Sequence, residues 1–140
     1  MTRQKEKDEV PKPVAPVIRE ANIVIDGKTI SYKATTGKLQ LKDDAGKARA
    51  SIFHVSYERT DIKYAVTRPV MFAFNGGPGS SAVWLHIGVL GPKILKLDGD
   101  GTSPPLPPTL VTDNPLSILD VCDLVLLIRF PRATAGLKKM

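Results

Sequence analysis

The sequence predicts an α/β protein in which an antiparallel β-meander leads into buried strands with few helices. Two observations carry that expectation. Residues 21–60 alternate polar and apolar side chains between turn signals, the pattern of half-buried antiparallel strands. Val70–Phe74 and Leu124–Ile128 are instead apolar at every position, which suits strands covered on both faces.

The elements follow in order. Residues 1–20 mix charges with Pro11, Pro13 and Pro16, and read as a disordered or extended arm with little to bury. NIVI, Asp26-Gly27 and TISYKA read as strand, tight turn and strand, because Asp-Gly suits a two-residue hairpin loop. TTG punctuates, KLQLKD alternates, Ala45-Gly46 turns the chain, and ASIFHVSYER alternates over a full strand with lysines left for the wet face. TDIKYAVTRP is a loop, and VMFAF follows as the first buried strand. SSAVWLHIGVLGP reads as a short helix capped near Ser80 or Ser81 and ended by Gly91-Pro92, with Trp84 expected in the core. KILKLDGDGTSPPLPPTLVTDNP is a surface excursion with a short strand at KILKL, and SILDVCDLVLLIRF holds the second buried strand.

Composition narrows the function. The 140 residues suffice for one domain with a real core. The net charge of +6 lies largely in residues 129–140, where Arg129, Arg132, Lys138 and Lys139 face no acid, so the body is nearly neutral. A nucleic-acid surface would need a basic face with stacking aromatics, and none is expected. No apolar run reaches the ~20 residues that span a membrane, and the N-terminus lacks the apolar core of a secretory signal. As written, the chain is expected in the cytoplasm. Cys122, the single cysteine, excludes an internal disulfide and a CxxC metal site. His54 and His86 are not at ligand spacing, and no cofactor is expected.

The distinctive stretch is FNGGPGSSAVW, Phe74 to Trp84. Bare backbone after an apolar strand suits three chemistries. Gly77–Ala82 formally fits a dinucleotide fingerprint, but Pro78 removes an amide donor and no acid closes a clear second strand. The P-loop pattern GxxxxGK[ST] is absent, and DGDG at 98–101 lacks the later ligands of a calcium loop. An oxyanion hole remains. Its amide must come about 3 Å from the reacting oxygen, where a side chain would obstruct, and Pro78 would stiffen the donor's turn.

Asn75-Gly76-Gly77-Pro78-Gly79-Ser80-Ser81 resembles the signature of the serine carboxypeptidase family. RPVMFAFNGGPGSSAVWLHIGVLGP, DNPLSILDVCDLVLLI and the meander from NIVIDGK to HVSYE are similar to the segments around that signature, so residues ~21–128 are covered. The resemblance implies part of an α/β-hydrolase fold and release of C-terminal residues from a peptide. It implies that the Gly77 amide helps form the oxyanion hole, and that Asn75 and Gly76 hold the substrate's terminal carboxylate. Ala73 stands where many relatives carry tryptophan. Relatives commonly work outside the cytoplasm.

A hydrolase of this kind needs a nucleophile in a G-x-S-x-G elbow, then Asp, then His. No such pentapeptide occurs, Ser80 and Ser81 lack its spacing, and His86 is the last histidine. Beyond Ile128 the family pattern I-D-x-P-x-G-T-G is met by Arg129, Ala133 and Ala135 in place of the acid and two glycines. Three parts are therefore expected: an arm at 1–20, the N-terminal part of a carboxypeptidase-like domain at 21–128, and a divergent basic tail at 129–140. A truncated or frame-shifted reading frame would produce this, as would a true divergent end; a peptide C-terminus is the expected partner once the missing part completes the chain, with no activity alone. The alternative is a non-catalytic β-rich module that binds a peptide carboxylate or a partner strand.

Overall fold

The computed structural model describes residues 14–63, 67–76, 82–97, 99 and 110–128. Strand β1, Val17–Ile25, turns at Asp26-Gly27 into β2, Lys28–Lys42. Both turn residues have positive φ, 49° and 73°, as the primed two-residue hairpin turn requires. β1 begins at Val17, inside the stretch expected as an arm, because Val17 and Ile18 pair with Thr36 and Thr35.

β2 runs straight through Thr35-Thr36-Gly37, where the sequence suggested a break. Pairing with β1 on one side and with β3, Ala48–Arg59, on the other holds it extended. Gly37 answers a close approach: a Cβ there would lie 3.2 Å from His54 Cε1 and 3.3 Å from Pro16 Cβ.

Strand β4 spans Val70–Ala73 and strand β7 spans Asp123–Ile128; they pair in parallel, with Val70 opposite Asp123 and Ala73 opposite Leu126. The sheet order is β1-β2-β3-β7-β4, antiparallel except for that last pair. Between them lie a one-turn helix α1, Val83–Leu85, a π-helical turn at His86–Leu90, and a ribbon of β5, Lys93–Leu95, with β6, Val111–Asp113. A 3-10 turn at Ile118–Asp120 leads into β7.

The α/β expectation, and with it the partial α/β-hydrolase fold, is corrected. Among the described residues 54% lie in strands and 12% in helical turns, and the five-stranded mixed sheet makes this a β-rich fold. The physical reason is the shortness of the helical pieces, which cover one face only. In-register neighbours Ile23, Ile30, Tyr32, Val55, Tyr57, Leu124, Leu126 and Ala73 form that face, with Ala82, Leu85, Leu90 and Leu119 packed over it.

VMFAF is accordingly not a doubly buried strand. It is an edge strand whose Phe72 is 62% exposed while Ala73 is buried. β7 is central, with Leu124, Leu126 and Ile128 buried and Val125 and Leu127 half-buried. Trp84, expected in the core, is 68% exposed, because α1 turns Leu85 and its flanking Ala82 to the sheet instead.

Candidate functional site

The parallel pairing of β4 and β7 gives the sheet a direction. Both strands run toward the same end, and the chain leaves β4 there through Phe74, Asn75 and Gly76. Asn75 is half-buried and Gly76 is exposed.

Gly76 is glycine for no reason internal to the described fold. Its φ is not positive, and a Cβ built on it meets nothing within 4 Å. Turn geometry would demand a left-handed backbone and packing would demand a close neighbour. Neither is present among the described residues, which leaves the bare backbone free for another use. Gly77, assigned the oxyanion amide, lies outside the described residues, as do Ser80 and Ser81.

The opposite end of the sheet is built of charge. Arg68 donates from Nε to Asp123 Oδ1 at 3.0 Å and from Nη2 to the Leu119 carbonyl at 2.9 Å. Arg59 grips Asp61 through Nε at 2.6 Å, which holds the Asp61 carboxyl below its usual range. A cleft of about 230 Å³ nearby is lined by Ile25, Asp26, Lys28, Ile30, Arg59 and Asp120. Of its charged walls, Arg59 is tied to Asp61 and to the Asp120 carbonyl.

His86 is not the isolated residue that the sequence suggested. Its Nε2 is hydrogen-bonded to Tyr57 Oη, with ring centroids 5.6 Å apart. Burial pushes the Tyr57 phenol up to about 12, with Tyr32 adding to the shift, and burial lowers the His86 imidazole. Strand alternation already placed Tyr57 on the face of Phe53 and Val55. Its partner lies 29 residues away in sequence, where no local pattern points to it.

His54 packs against Gly37 and Pro16, with its buried Nδ1 lacking a hydrogen-bond partner among the described residues. Cys122 is buried, which raises its thiol pKa and keeps it a poor nucleophile. Among the described residues no group of three or more His, Cys, Asp or Glu is placed to hold a metal ion. Also among them, no helix is long and apolar enough to cross a membrane. In comparison with known proteins, no family model, no curated protein and no solved structure matches the chain.

Proposed function

We propose that this chain provides the carboxylate-recognising part of a serine-type carboxypeptidase and is not hydrolytic by itself. The observation that carries the reading is Gly76, bare at the end of a parallel strand without steric or conformational need among the described residues. Beside it, the Asn75 side-chain amide can donate to a carboxylate, as can the Gly76 main-chain N–H. Neither adds charge or bulk. The motif Asn75–Ser81 supplies the class of ligand, a peptide's free C-terminus.

Catalysis needs more than these 140 residues hold. They contain no G-x-S-x-G elbow. Of the two histidines, His86 is engaged by Tyr57 and His54 is packed over Gly37. Neither stands beside a serine nucleophile among the described residues.

A second reading draws on β4. It is an edge strand with exposed Val70, Met71 and Phe72, and on its outer side no described strand pairs with it. Such an edge can accept a peptide as an added strand. The two readings differ in what they require of the ligand. Anisotropy titration of a labelled peptide with a free C-terminus, and of its C-terminal amide, separates them. Carboxylate recognition predicts saturable binding that amidation abolishes and Asn75→Ala weakens. Equal binding of both peptides overturns it and leaves strand addition.

A further inference from the structure

The Tyr57–His86 contact joins the sheet to the segment that follows β4. Tyr57 is 8% exposed, near the end of β3 and opposite Leu124 of β7. His86 begins the π-helical turn, which Gly91 closes by donating its N–H to the His86 carbonyl at 2.8 Å. A Cβ on Gly91 would lie 2.4 Å from that carbonyl oxygen and 3.0 Å from His86 Cδ2. The imidazole is therefore seated against backbone on one side and bonded to the sheet on the other. Ala82, Leu85 and Leu90 of the same segment pack on the sheet, and its far end is held to the loop before β7 by Asn114 Nδ2 donating to the Val89 carbonyl at 2.8 Å and Ser117 Oγ donating to the Leu90 carbonyl at 3.2 Å.

We propose that the Tyr57–His86 hydrogen bond is a pH-sensitive latch, which holds residues 82–90 on the sheet while the imidazole is neutral and loosens them when it is protonated. In the neutral pair the phenol donates and Nε2 accepts. Protonation puts a hydrogen on Nε2, so the phenol must accept there and can no longer donate: its own O–H is left buried without an acceptor among the described residues, and a cation is left half-buried. The groups facing the pair do not compensate that charge. Tyr32 on β2 stands edge-on to Tyr57, with ring centroids 5.8 Å apart. Lys93 of β5 and Asp113 of β6 form an ion pair with each other and act on Tyr32. Among the described residues no carboxylate bonds to His86.

The lowered His86 pKa sets the direction, with burial as its cause. The latched state binds its proton less readily than the released one. Latching is complete above the ordinary histidine pKa of about 6.5 and is lost as pH falls through the lower value of the latched state. The latch does not depend on the carboxypeptidase reading, since it concerns only how one segment is held.

Amide hydrogen exchange on the full chain between pH 7.5 and 4.5, corrected for intrinsic chemical rates, tests this. Protection at 86–91 is expected to fall severalfold in the wild-type chain and in His54→Gln. Amides of β3 at 53–57 should stay protected. Tyr57→Phe should reach the low protection already at pH 7.5, and His86→Gln should show no pH dependence there. Unchanged protection of 86–91 down to pH 4.5 overturns the latch. So does an unaltered dependence in His86→Gln, or loss of protection at β3 in step with 86–91.

Discussion

One carboxylate oxygen of Asp123 accepts from Arg68 Nε at 3.0 Å and from the Arg59 backbone N–H at 3.1 Å. It thereby ties the start of β7 to the end of β3 and to the residues that lead into β4. The pair is well shielded, with side-chain exposures of 11% for Arg68 and 15% for Asp123. Deleting one partner strands the other's charge. Asp123→Ala is therefore expected to cost about 3 kcal/mol in urea unfolding, and a loss under 1 kcal/mol would show the pair to be ornamental to stability.

The two apolar runs should respond differently to truncation. Leu126 is 0% exposed in the central strand, and Leu126→Ala is expected to cost about 2–5 kcal/mol. Phe72 on the edge strand is mostly exposed, and Phe72→Ser should change stability by less than about 1 kcal/mol while improving solubility. Paired denaturation and sedimentation measurements check both.

Gly76→Ala separates folding from recognition. With a φ outside the left-handed region and no described atom within 4 Å of the added methyl, thermal stability should not fall. Affinity for a peptide carboxylate should drop about tenfold, some 1.4 kcal/mol. A stability loss without an affinity loss would return Gly76 to a structural role.

Asn114 is buried and bridges three backbone groups. Its Nδ2 donates to the carbonyls of Val89 and Gly91 at 2.8 Å each, and its Oδ1 accepts from the Leu116 N–H at 3.1 Å. Asn114→Ala orphans all three, and a loss of about 2 kcal/mol or more is expected by chemical denaturation.

Tyr57 gives an alkaline signature. Its folded pKa, about 12, exceeds the usual 10.0, so the folded state keeps a proton that the unfolded state releases. The resulting stability is full below pH 10 and declines as pH rises toward 12. Ultraviolet titration should show one phenol ionising about two units late, and Tyr57→Phe should remove that step.

Incubation of the chain with a fluorophosphonate probe should leave every serine unlabelled, because the 140 residues hold no G-x-S-x-G elbow and His86 is engaged by Tyr57. Labelling of Ser80 or Ser81 would overturn the non-catalytic reading.

Local order was legible in the chain itself. Asp26-Gly27 demands a primed hairpin, and the alternation of ASIFHVSYER places Phe53, Val55 and Tyr57 on one face; neither depends on anything distant. Asn75 and Gly76 also stood out, since bare backbone after an apolar strand is a local signal. What only tertiary structure decided is coverage. VMFAF and LVLLI read alike, yet strand order puts β4 at the edge and β7 in the centre, so Phe72 is exposed and Leu126 is sealed. Trp84 faces solvent because a single helical turn has room to bury only the neighbours that meet the sheet. Tyr57 and His86, or Arg68 and Asp123, meet across 29 and 55 residues of chain. Such pairings come from the packing of whole elements, whose energies no short window of sequence contains.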